Sequence, residues 1–218
     1  MSMDIHDEKT VISASIAAVL MMANQVSAAS MSPELKVKGQ MAVPSCQVSI
    51  VNDGVFDLGK LSNALVSSTT ATALAKSQKQ LVVDCEAETF LNFTVVDNRE
   101  GTASVTGSAN FGLGGVNGSG KLGYYKVNAL NAAVNGVSSA LYSVQKGATT
   151  FSTVSSAYVD KNNVTGWAKS GNVQNSGRLF SVMLEVEPYL ASSKDMNGPI
   201  TDSVKLDGSS TLNFAYGI

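Results

Sequence analysis

Histidine is almost missing from this 218-residue chain: there is one, His6. It falls in an N-terminal stretch that has the marks of a leader. The chain beyond that stretch then has no Ser-His-Asp triad, no Cys-His pair and no histidine metal site. Charge is scarce as well. Only 15% of residues are charged and the net is -2, so no basic field exists to hold nucleic acid or anionic lipid. Cysteine is limited to Cys46 and Cys85, a pair that cannot alone build a CxxC redox centre or a zinc site. Long helix-forming runs are few after the N-terminus. Gly, Ser, Thr, Asn, Val and Ala dominate instead, a composition of strands and turns.

Val11–Ala23, reading VISASIAAVLMMA, is an apolar run followed by small residues at Val26-Ser27-Ala28 or Ser27-Ala28-Ala29. That is the pattern of an export signal over residues 1–28. The run is too short for a membrane span, and no other segment is long enough. Asp4, Asp7 and Glu8 ahead of it are unusual, because such signals normally open on positive charge. In an exported chain the even cysteine pair reads as a Cys46–Cys85 disulfide. It would close 39 positions and stabilise by roughly 4 kcal/mol in the chain-entropy picture.

Residues 29–218 read as a single β domain, with no domain boundary or long-period repeat. Leu35, Val37, Gly39, Met41 and Val43 alternate with Lys36, Lys38 and Gln40, which predicts a half-buried strand ended at Pro44. Val48–Val51 is a second apolar run, turned by Asn52-Asp53-Gly54. Leu81–Cys85 and Phe90–Val96 read as two strands separated by a polar turn at Glu86–Thr89. Phe111–Gly123 carries six glycines and reads as a loop or irregular hairpin. Tyr124–Val127, Ala140–Gln145, Ala157–Val159 and Leu179–Val186 are further strand candidates, the last ended by Pro188. Leu212, Phe214, Tyr216 and Ile218 alternate with polar or small residues after an Asp207-Gly208 turn signal, so the chain closes on a strand with one apolar face. Many short strands at modest spacing predict one β-sandwich.

Several stretches imitate chemistry. Gly115–Lys121 has the spacing of a phosphate loop, but Leu122 stands where Ser or Thr should reach magnesium, and a flexible glycine loop is the simpler reading. Asp160–Asn163 lacks calcium-loop spacing and reads as a turn. Glu185 and Glu187 alternate along a strand and read as a solvated face rather than a catalytic pair. Trp167 stands alone among polar residues; it is a sugar-stacking platform, a buried anchor or a ring exposed by chance. No catalytic residue, cofactor or metal ligand emerges, and the chain reads as a non-enzyme.

Leu35-Lys36-Val37-Lys38-Gly39-Gln40-Met41 with Cys46 a few residues on, Cys85 some forty later, and the Leu212/Phe214/Tyr216 strand together resemble chaperone–usher pilins. The likeness is nearest to the fimbrial-like domain of unknown function found beside chaperone–usher genes in enterobacteria; Phe56-Asp57-Leu58-Gly59 and Val95-Val96-Asp97-Asn98-Arg99 look like segments of that domain. It covers the chain after the leader, its central third in composition only. The resemblance implies an all-β, immunoglobulin-like sandwich lacking its final strand. A groove beside the C-terminal strand would take a strand from a periplasmic chaperone and later from a neighbouring fimbrial subunit at an outer-membrane usher. Leu35, Val37, Met41, Leu212, Phe214 and Tyr216 would line it. The implied location is the periplasm and cell surface of a Gram-negative bacterium, and the implied role is adhesion.

Two departures stand out. Tyr216 is third from the end, whereas the family usually places its aromatic next to last. With a first strand at Leu35, only Ser30–Glu34 would precede it, about one turn beyond the sheet, so the subunit should accept a strand but have none to donate. The alternative is an exported module, binding carbohydrate or another surface, that does not polymerise.

Overall fold

The computed structural model describes residues 35–41 and 43–217. The chain divides into two units, Met1–Met41 and Ala42–Ile218. In the first unit, the strand expected from Leu35 is not formed. Residues 35–41 belong to no helix or strand, and Leu35, Val37 and Met41 are 92%, 92% and 103% exposed. Period-two alternation supplies an apolar face but no partner edge, and a strand needs both. The inference that the subunit has no strand to donate assumed a strand beginning at Leu35, and it falls with it. The leader lies outside the described residues.

The second unit is all-β and sandwich-like. Its longer strands are β1 (Cys46–Ile50), β2 (Ser77–Asp97), β3 (Gly123–Val134), β4 (Ala140–Gln145), β5 (Ser156–Tyr158), β6 (Asn163–Ser170), β7 (Ser176–Leu190) and β8 (Ser210–Tyr216). One face of the sandwich runs β5-β3-β7-β2-β1; the other runs β8-β2-β6-β4. All of these pairings are antiparallel.

The strand common to both faces is β2. The two strands expected at Leu81–Cys85 and Phe90–Val96 are one, 21 residues long. At ~3.3 Å per residue it would outreach a small domain if straight, so it bends from one face into the other. Leu81, Val83, Cys85, Leu91, Phe93 and Val95 all point inward, every second residue without a break in parity. Glu86–Glu88, where a turn was expected, is the exposed crossing between faces.

In β7, Phe180, Val182, Leu184 and Val186 point inward. This strand runs on through Pro188 to Leu190 instead of ending there. The Pro188 carbonyl accepts from Leu74 N–H, so its missing N–H faces that same flank. There β2 has already ended at Ser77 opposite Val186, and only the two-residue strand Thr72–Ala73 pairs with Tyr189 and Leu190, so the proline gives up a single return bond, opposite Leu74, at a short edge pairing. Along β3 the inward set changes from Tyr125, Val127 and Ala129 to Ala132 and Val134. A register shift against β7 and a left-handed Asn131 (φ 53) mark a bulge that inserts the extra residue.

Cys46 and Cys85 sit opposite each other in the β1–β2 ladder and are disulfide-bonded.

Candidate functional site: an open apolar groove

The flank of β2 away from β7 and β6 carries two strands end to end. Leu81–Cys85 pairs with β1, and Leu91–Asp97 pairs with β8. Both are antiparallel to β2, so they run in the same direction. The Tyr216 hydroxyl donates to the Pro44 carbonyl, joining the end of β8 to the approach to β1.

Only one side of β8 is paired among the described residues. Gly217 N–H donates to the Phe90 carbonyl, and Asn98 N–H donates to the Ser209 carbonyl. Main-chain groups alternate in direction along a strand, so odd-numbered residues of β8 face β2. The N–H and C=O groups of Ser210, Leu212, Phe214 and Tyr216 therefore point to the free edge.

Beside that edge the two faces of the sandwich do not close. A groove of about 1520 Å³ reaches the core. Its floor and walls include Val95 of β2, Tyr125 and Val127 of β3, Leu184 and Val186 of β7, and Val48 and Ile50 of β1. Leu212 and Phe214 form its β8 wall, half-buried. Burial pushes the Tyr125 phenol up to about 12, against a lowering hydrogen bond with Ser210, so the floor carries no charge near neutrality. Two segments without strand pairing, 53–63 and 200–209, run along the groove. Phe56, Leu61, Ile200 and Leu206 on these segments pack partly on the core.

Leu212 and Phe214 thus turn both side chain and main chain to the opening. Tyr216 is not among the lining residues; it is 40% exposed and occupied with Pro44. Leu35, Val37 and Met41 belong to the other unit, where they form no strand. The wall at Val48, Ile50 and Phe56 went unrecognised in the sequence. Phe56-Asp57-Leu58 alternates, which was the available signal, and Leu58 and Leu61 also border the groove.

The remaining sequence candidates have other roles. Trp167 is 0% exposed; its ring meets Phe93 and Phe180 edge-on at 6.1 and 5.2 Å, and its indole N–H donates to the Ser181 carbonyl at 3.0 Å. A fully buried ring has no face for a sugar, so the stacking role is excluded. Gly115–Val116 and Gly120–Lys121 form a small hairpin, without the helix a phosphate loop needs. Asp160 caps a turn by accepting from Asn162 N–H at 2.8 Å.

Glu185 and Glu187 project from the outer face of β7, but Glu187 is only 4% exposed. Its Oε1 accepts from Lys76 Nζ at 2.8 Å and from the Tyr158 hydroxyl at 3.0 Å; its Oε2 accepts from the Tyr189 hydroxyl at 3.3 Å. Burial opposes its ionisation, yet the Lys76 ammonium and the two phenols outweigh burial and hold the carboxyl below its ordinary value. The expected solvated face is, at Glu187, a polar cluster in which the carboxylate is covered while its partners Lys76 and Tyr158 stay exposed. Among the described residues no group of three or more His, Cys, Asp or Glu could hold a metal ion, and no helix is long and apolar enough to cross a membrane.

No curated protein matches this chain. Residues 35–118 match a family described as protein of unknown function (DUF1120), a stretch spanning β1, β2 and the segments between them that border the groove.

Proposed function

We propose that this chain is a non-enzymatic fimbrial-type subunit that accepts a strand into the groove beside β8. The donor is a periplasmic chaperone first, and a neighbouring fimbrial subunit later, exchanged at an outer-membrane usher. The observation that carries the reading is the coincidence of a free main-chain edge with an apolar groove: Leu212 and Phe214 belong to both. An incoming extended segment would satisfy the edge with main-chain hydrogen bonds and fill the groove with alternate side chains. Covering apolar surface returns roughly 25 cal/mol per Å². Left open, such an edge invites aggregation, which gives a chaperone something to do. The pilin resemblance supports the same reading, as do the disulfide and the leader pattern, both of which fit an oxidising compartment.

The alternative of a carbohydrate-binding module rested on Trp167 and loses its anchor with that ring buried. Coexpression tests the proposal. Expressed in the periplasm with the chaperone of a neighbouring chaperone–usher cluster, the chain should copurify with it at one to one and gain solubility. A chain that stays monomeric and soluble alone, and ignores the chaperone, would overturn the strand-accepting role.

A further inference from the structure

The segment Ile200–Leu206 connects the end of the β7 region to β8. All seven residues border the groove, and none belongs to a strand. No main-chain hydrogen bond holds any of them among the described residues. Both ends, by contrast, are pinned. On one side Asn117 Nδ2 donates to the carbonyls of Met196, Gly198 and Pro199 at 2.9, 3.3 and 3.4 Å. On the other, Arg99 Nε and Nη2 grip Asp207 Oδ2 at 3.0 and 2.9 Å, and Asp207 N–H donates to the Leu113 carbonyl at 3.3 Å. Gly208 comes next, wedged so close that an added Cβ would lie 2.8 Å from the Tyr125 ring and 2.9 Å from Leu113. The backbone changes direction at Gly198, which has φ +127.

The result is a strap fixed at both ends and free between them. Fully extended, at ~3.3 Å per residue, its seven residues would reach as far as the seven of β8. Ile200 and Leu206 pack on the core, while Thr201–Lys205 stay exposed. A passive surface loop needs no apolar residue over an open groove. This one places Ile200, Val204 and Leu206 there.

We infer that Ile200–Leu206 is a built-in cover of the groove, which an incoming strand must displace. The inference rests on the strand-accepting reading above and adds to it a competition within the chain. In the free protein the strap shields part of the apolar lining. On binding it lifts between its two pinned ends, and the donor's side chains replace Ile200 and Leu206. The cover lowers the affinity for any donor, so that a weak or mismatched strand does not enter.

The test uses the full chain and a synthetic nonapeptide of alternating valine and threonine, fluorescently labelled, with binding read by anisotropy. The variant I200S/L206S keeps the strap's length but removes its apolar hold. It should bind the peptide about tenfold more tightly than the parent chain. R99Q, which loosens one pin at a largely exposed ion pair, should shift binding in the same direction by about two- to threefold. Binding that is unchanged or weaker in both variants would overturn the cover, because the strap would then be inert or part of the binding wall. Absence of binding by parent and variants alike would overturn the strand-accepting reading, and the cover with it.

Discussion

The two regions of the sandwich are built alike and finished differently. Around Trp167 the faces close. Phe93, Trp167, Phe180 and Leu141 come from four strands on both faces, all fully buried, with the one polar atom of the cluster satisfied by a main-chain carbonyl. Around Leu212 the same two faces gape. Phe214 packs on Phe93 at 5.5 Å, touching the closed region, yet it is only half-buried. Across the groove Val48 is 47% exposed. Burial therefore ends where β8 has no second neighbour among the described residues, although the alternating pattern of the sequence continues. Amphipathic alternation fixes which way a side chain points; the presence of a neighbour fixes whether it is covered.

That contrast can be broken by mutation. The largest effect is expected at the closed region. Trp167→Ala should lower stability by about 3–5 kcal/mol in urea unfolding, whereas Leu212→Ala should cost the isolated chain no more than about 1 kcal/mol, since little burial is lost. Equal costs would mean that the groove is closed in solution. The disulfide ranks second. It fastens β1, and with it the Val48–Ile50 wall, to β2. Replacing both cysteines by serine should cost about 2–5 kcal/mol. Intact-mass measurement of the native chain should fall two hydrogens short of the reduced form, with a single cross-linked peptide pair. Charging the groove wall is milder in the free protein: Phe214→Asp should destabilise by about 1–3 kcal/mol, and Asn213→Asp, on the opposite face of β8, by close to nothing. Similar behaviour of the two would deny the inward direction of Phe214.

The smallest effect concerns the outer face. The Glu187 carboxyl titrates below its ordinary value in the folded chain, so its contribution is present above that value and lost as pH falls through the folded one. Glu187→Gln should leave stability near pH 7 changed by no more than about 1 kcal/mol and should flatten the acid limb below about pH 4.5. An unchanged acid limb would mean that the Lys76–Glu187 contact is not maintained in solution.

Much of this was legible in the residues. The disulfide followed from two cysteines and an apolar leader, and β8 from alternation after a turn signal; Ala140–Gln145, named only as a strand candidate, is β4. β2 was read as two strands because Glu86–Glu88 looks like a turn; parity on both sides was the sign of continuity. The hairpin at Asn135-Gly136, both residues with positive φ, carries a type I′ signature that went unrecognised in the sequence, and it marks the end of β3. The Leu35–Val43 stretch misled for a physical reason. Its pattern specifies an apolar face, but pairing depends on an edge far away in sequence that no local pattern encodes. The groove beside β8, with Leu212 and Phe214 on its wall, was expected from the pilin resemblance and not from periodicity, because an opening is an absence of neighbours and no local pattern encodes it.

Hydrogen exchange along β8 tests the central claim most directly. In the free chain the amides of Leu212, Phe214 and Tyr216 point to the open edge and should exchange fast, while those of Thr211, Asn213 and Ala215, facing β2, are protected. Complexed with a strand-donating chaperone, Leu212, Phe214 and Tyr216 should slow by at least a hundredfold and the alternation should vanish. If those three amides are already protected in the free chain, or stay fast in the complex, β8 is not an accepting edge and the strand-accepting role is contradicted.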